Sequence, residues 1–121
     1  MSTSLPGTMS YPQQLETIKS NMAVLSQSQT ATMKAFSELH GVSVGSGALH
    51  SKTKELIALA IAVSARCDGC IAFHTHDVLK AGASRDEIME ALSVAILMGG
   101  GPSVMYATHV VDALDQFEEA G

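Results

Sequence analysis

The chain has 121 residues, a length suited to one domain, and 46% of them are hydrophobic against 4% aromatic, with no Trp and seven Met. A formal net charge of −5 with seven scattered Lys and Arg excludes a nucleic-acid footprint and a polybasic membrane anchor. The longest apolar run, Leu56 to Val63, is too short to span a bilayer.

Residues 1 to 11 read as a mobile arm, and residues 12–121 as a single helical domain. The Ser/Thr-rich start lacks a basic region followed by an apolar one, so no signal peptide is expected and the cytoplasm is the expected location. Pro12 suits the first turn of a helix, and Leu15, Ile18, Met22 and Leu25 recur at helical spacing. Ser26 to Thr32 is polar, either a break or a solvated helix face. Met33, Phe36 and Leu39 resume the period, and Gly41 is the expected stop.

Gly41 to Leu49 reads as a loop, and Ser51 as the cap of the next helix. That helix, from Lys52 to Ala65, is apolar nearly all round from Leu56 on, the pattern of a buried helix. A break is expected near Arg66, then a helix from about Cys67 to Gly82. Ser84 and Glu87 form a capping box that opens a helix to Met98. Gly99-Gly100-Gly101-Pro102 interrupts the chain before a last helix to Glu119. No period-two strand pattern is present, so the expected fold class is all-α, with about five to six helices. A mean hydropathy of +0.22 is high for so small a domain, and part of the apolar surface is expected to be covered by other subunits.

Cys67-Asp-Gly-Cys70 with His74 carries the chemistry. At about 100° per residue, Cys70 lies about −60° and His74 about −20° from Cys67, one narrow helical face. Helical Cα atoms three residues apart are roughly 5–6 Å from each other, inside the range a disulfide tolerates. A Cys in a first helical turn meets unpaired N–H groups and the positive end of the dipole, which favour the thiolate. His74 can take or return a proton near neutral pH. Two other readings use the same residues: core cysteines, or a zinc site with His76 as fourth ligand. His76 falls about 180° from Cys67 on the wheel, which disfavours zinc, so no metal or cofactor is expected. Glu55 opens the apolar helix. It is either a dipole-stabilised charge near Lys52 or Lys54, or a functional carboxylate.

Glu55, then Cys67-x-x-Cys70, then His74 has the spacing of the alkylhydroperoxidase D-like (AhpD-like) motif. The run from Lys52 to Ala60, Arg66 to His74, the stretch Ala81-Gly-Ala-Ser-Arg-Asp-Glu-Ile and Met98-Gly-Gly-Gly-Pro resemble the carboxymuconolactone decarboxylase family, over roughly residues 36–114. The resemblance implies an all-α fold in homotrimers or homohexamers. It implies a dithiol/disulfide cycle of Cys67 and Cys70 with Glu55 and His74 as proton relay, acting on a hydroperoxide or a disulfide. It further implies a dithiol electron donor such as a dihydrolipoyl protein, and a peroxiredoxin partner. In the family assignment Cys70 meets the peroxide and Cys67 resolves it, whereas helix-dipole reasoning alone favours Cys67 as attacker. Some AhpD-like proteins carry a His just before the second cysteine, where this chain has Gly69. The competing functions are decarboxylation of a lactone or keto acid, with the cysteines incidental, and a non-enzymatic redox-sensing module. His40, His50, His76 and His109 read as structural or exposed, with His109 able to approach from the last helix.

Overall fold

Serine capping boxes open two of the helices, and glycines lie at the ends of several. The computed structural model describes residues 9–121. It contains α1 (Tyr11–Ser28), α2 (Thr30–Val44), α3 (Ser51–Ser64), α4 (Asp68–Lys80), α5 (Arg85–Gly99) and α6 (Gly101–Ala120), with no strand among the described residues. The all-α expectation holds. No described helix is long and apolar enough to cross a membrane.

Ser10 caps α1: its hydroxyl accepts the Gln13 N–H, and the Gln13 side chain accepts the Ser10 N–H at 3.0 Å. The helix therefore opens one residue before Pro12. Of the arm expected over residues 1–11, residues 1–8 lie outside the described residues, while Ser10 and Tyr11 belong to the helix start. Tyr11 is buried, and its N–H donates to Gln116 Oε1 at 2.6 Å, tying α1 to α6. The expected Ser84–Glu87 capping box is present on α5.

The stretch after Leu25 shows both of its expected alternatives, and the boundaries at Gly41 and Ser51 differ from expectation. The polar stretch after Leu25 is helical except at Gln29, where the backbone leaves the helix (φ −122°, ψ 59°). Gly41 does not end α2. One glycine in a helix interior costs about 1 kcal/mol, too little to stop a helix whose later turn still closes, and the N–H of Gly45 bonds Gly41 O at 3.1 Å instead. Ser51 is the first residue of α3 rather than its cap, and its N–H meets Ser46 Oγ at 3.2 Å.

The core is built by α3 to α6, closed on one side by Tyr11 and Leu15 of α1. Leu59 and Val63, Ile71 and Val78, Ile88, and Val110 and Leu114 are fully buried. α2 buries no residue and leaves Phe36, Leu39 and Val42 exposed. α3 is not buried all round within the chain. Leu59 and Val63 point into the core, while Ile57 and Ile61 lie on its outer side, Ile61 at 61% exposure.

Candidate active site at the start of the fourth helix

The turn between α3 and α4 sets the position of the first cysteine. The N–H of Arg66 bonds Val63 O and that of Cys67 bonds Ala62 O, both at 3.1 Å, the paired closure of a Schellman motif. The same closure ends α4, where Gly82 bonds Leu79 O and Ala83 bonds Val78 O. At that second turn the left-handed position belongs to Gly82 (φ 92°), a residue without a steric cost there. At the first it belongs to Arg66 (φ 57°). A side chain in this region costs about 1–2 kcal/mol, so backbone strain is held at the residue just before the motif.

Cys67 is the N-cap of α4, with extended backbone (φ −114°, ψ 96°), and its Sγ accepts the Cys70 N–H at 3.1 Å. The helix starts at Asp68, one residue later than expected, so Cys67 stands just outside the wheel used to place it. The consequence is small: the Cα atoms of Cys67 and Cys70 are 5.2 Å apart and the two are joined as a disulfide. On reduction, a thiolate at Cys67 inherits a backbone donor and the positive end of α4.

Glu55 of α3 and His74 of α4 meet. Glu55 Oε1 lies 2.8 Å from His74 Nδ1, with the Glu55 side chain 7% exposed and that of His74 20%. Neither lysine near Glu55 in sequence is its partner. Lys52 pairs with Glu87 at 2.9 Å, and Lys54 donates to the Gly45 carbonyl at 2.6 Å. A buried carboxylate without a hydrogen bond would be costly; here the imidazole supplies it. The pair can hold a proton between these two atoms, and it leaves Nε2 as a second atom at which His74 can exchange one.

A cleft of about 610 Å³ opens onto this arrangement between α1, α2 and α4. Cys67, Cys70, His74 and Asp77 line one end, and Ile18, Met22, Met33, Phe36 and Phe73 make the rest mostly apolar. His40 of α2 also lines it, with its ring centroid 6.2 Å from that of His74. Donor atoms of His40, Glu55 and Asp77 lie within 4.8 Å of one another. Sequence reasoning read His40 as structural or exposed; it is exposed, and it is one of the residues lining this cleft. His76 points elsewhere: it pairs with Asp77 at 2.9 Å and its ring lies 5.7 Å from Phe117. It is not a fourth ligand to the cysteines.

A second group of side chains gathers at Asp68, outside the cleft. Asp68 Oδ1 accepts the Tyr11 hydroxyl at 3.1 Å and lies 2.8 Å from His109 Nδ1. Burial and the Asp68 charge push the Tyr11 hydroxyl well above its ordinary pKa, so it stays a neutral donor. The sequence allowed His109 to approach from the last helix, but nothing local announced Tyr11 or the meeting of the three on α1, α4 and α6.

A model of the carboxymuconolactone decarboxylase family matches residues 30–113. An uncharacterised protein of Cupriavidus necator is 40% identical over 101 residues, 84% of this chain and 89% of that protein. The crystal structure of a carboxymuconolactone decarboxylase family protein from Legionella pneumophila superposes with a TM-score of 0.86 at 40% identity, over 88% of this chain and 96% of that one. More distantly, the alkyl hydroperoxide reductase AhpD of Mycolicibacterium paratuberculosis is 29% identical over 68 residues, 56% of this chain and 38% of that protein. A matching model from α2 into α6, with whole-fold likeness at 40% identity, places this chain in the carboxymuconolactone decarboxylase family.

Proposed function

We propose that the protein is a thiol-dependent oxidoreductase of the alkylhydroperoxidase type, a peroxidase or disulfide reductase working through Cys67 and Cys70. The observation that carries this reading is the cysteine pair at a helix N-terminus, joined as a disulfide and lining a mostly apolar cleft together with His74, whose imidazole pairs with the buried Glu55. Neither a lactone decarboxylase nor a structural staple needs that combination. The similarity to an alkyl hydroperoxide reductase, though distant, points the same way.

In the proposed cycle one thiolate attacks the distal peroxide oxygen. The O–O bond breaks, and the leaving alkoxide takes a proton to become an alcohol. The sulfenic acid is then attacked by the second cysteine, which forms the disulfide and releases water. A dithiol such as a dihydrolipoyl group returns two electrons and two protons by thiol–disulfide exchange. The Glu55–His74 pair takes the proton from the attacking thiol and returns one to the leaving oxygen. Following the family assignment, Cys70 attacks and Cys67 resolves, with a peroxiredoxin as a further partner. This cycle suits a reducing compartment, the cytoplasm.

We also propose that copies of the chain assemble as trimers or hexamers. Phe36, Leu39 and Val42 on α2, Ile57 and Ile61 on α3, and Leu97 and Met98 on α5 are all exposed within one chain, more apolar surface than a small monomer usually presents. Light scattering at micromolar concentration should give a trimer or hexamer mass, and a monodisperse monomer would refute this.

One equivalent of peroxide added to the reduced protein should remove two hydrogens from the intact mass and add no oxygen. Cys67→Ser and Cys70→Ser should separate the roles. The variant lacking the resolving cysteine traps a sulfenic acid or mixed disulfide, and the one lacking the attacker reacts slowly. If both thiols of the folded protein resist peroxide and disulfide reagents, the cysteines belong to the core and the proposal fails.

Glu55→Gln keeps an acceptor for His74 and should change stability by only about 1 kcal/mol. It removes the proton-accepting carboxylate, so alkylation of the reduced pair near neutral pH should slow roughly tenfold to a hundredfold. Unchanged alkylation rates from mildly acidic to mildly basic pH would make Glu55 a structural residue.

A further inference from the structure

Asp68 follows the N-cap cysteine directly and occupies the first turn of α4. An acidic residue there is favourable for the helix, because it faces the positive end of the dipole. For the cysteines it is a drawback: a carboxylate beside a forming thiolate opposes the charge that the same helix end would stabilise. The protein surrounds this carboxylate with donors from two other helices. Tyr11 of α1 gives its O–H at 3.1 Å, and His109 of α6 places Nδ1 at 2.8 Å, both on Oδ1. The His109 ring in turn rests near that of Tyr106, centroids 4.8 Å apart. Other charges close by are Asp112 of α6, which acts on Tyr11, and Arg66, adjacent to Cys67 in the chain.

We propose that the cluster of Asp68, His109 and Tyr11 sets the redox potential of the Cys67–Cys70 pair: the Asp68 carboxylate disfavours the reduced, thiolate form, and His109 and Tyr11 offset that charge. These are tuning residues that act through the electrostatics of the motif, with no contact to substrate required of them. The proposal rests on the pair cycling between dithiol and disulfide, as set out above, and does not depend on peroxide being the oxidant. A dithiol whose thiolate is better stabilised makes a more oxidising couple. Removing the Asp68 charge should therefore raise the potential, and replacing the His109 imidazole by a weaker amide donor should lower it.

The isosteric variants Asp68→Asn and His109→Asn make the test. The asparagine at 68 still accepts from both neighbours, and the asparagine at 109 still offers an N–H where Nδ1 stood. Each protein is equilibrated with a reduced and oxidised dithiothreitol couple, which exchanges two electrons and two protons with the cysteine pair. The dithiol fraction is then read by alkylation and mass. D68N should shift the exchange constant roughly fivefold toward the dithiol, about 20 mV upward. H109N should shift it toward the disulfide, and Tyr11→Phe should move it the same way as H109N. In the D68N/H109N double variant the effect of H109N should vanish, because the charge it compensates is gone. Opposite shifts separate tuning from scaffolding, since variants that merely loosened α4 would move together. The proposal is overturned if D68N and H109N shift the potential in the same direction, if neither shifts it, or if H109N acts undiminished on the D68N background. Should D68N not fold, H109N and Tyr11→Phe still decide, because an unchanged or raised potential in both contradicts the proposal. No peroxide enters the measurement, so a protein that fails as a peroxidase leaves this result intact. A wild-type pair that will not exchange with the couple at all counts instead against the redox reading itself.

Discussion

A carboxylate placed on the inner face of an apolar helix must find a hydrogen bond, and the single bond from His74 to Glu55 meets that need. Much of the site depends on it. Glu55 sits one turn before Leu59 on the face of α3 that builds the core, and His74 sits one turn after Cys70 on α4. Their contact helps set the register of the two helices. Loss of one partner would leave the other's polar atoms buried and unmet, at a cost of several kcal/mol for a charge. The same bond thus holds α3 to α4.

Around that contact the chain directs several backbone and charge effects at one short segment. The α3–α4 turn closes with Arg66 in a conformation that glycine would adopt more cheaply, which delivers Cys67 to the cap position of α4. The helix dipole and the Cys70 N–H favour a thiolate there, and Asp68 opposes it. Two carboxylate–imidazole contacts flank the motif, Glu55–His74 within the helix pair and Asp68–His109 across to α6. The first is suited to moving protons, the second to adjusting charge. The cleft contributes an apolar approach, with His40 and Asp77 among its polar lining residues.

The local signals in the sequence were legible where short-range physics decides them. The capping box at Ser84 and Glu87, the stop at Gly82 and the break at Gly100 were each visible from a few adjacent residues, and each is where the structure has it. The cysteine spacing likewise announced a bond that the fold makes. Boundaries set by competition were harder. Gly41 looked like a stop, yet helical bonds on either side outweighed its weak preference, and Ser51 lost the cap position to His50. The fate of Glu55 was open from local residues alone, since Lys52 and Lys54 were nearby candidates. Only tertiary packing sends Lys52 to Glu87 and Lys54 to a loop carbonyl. Groups assembled from distant segments leave no periodic trace: an approach of His109 from the last helix could be expected, but its pairing with Asp68 and the arrival of Tyr11 could not be read in advance. The apolar outer side of α3 suggested burial that one chain does not supply, because Ile57 and Ile61 face outward.

The central claim is that Cys67 and Cys70 turn over together with proton transfer through Glu55 and His74. It is tested most directly by steady-state reduction of tert-butyl hydroperoxide with dihydrolipoamide as donor, comparing wild type with Cys67→Ser and Cys70→Ser. The account predicts catalytic turnover in wild type and loss of at least about a hundredfold in both variants, because one thiol cannot complete a two-electron cycle with this donor. Turnover that survives removal of either cysteine, or a wild-type rate no greater than that of the donor alone, would contradict it.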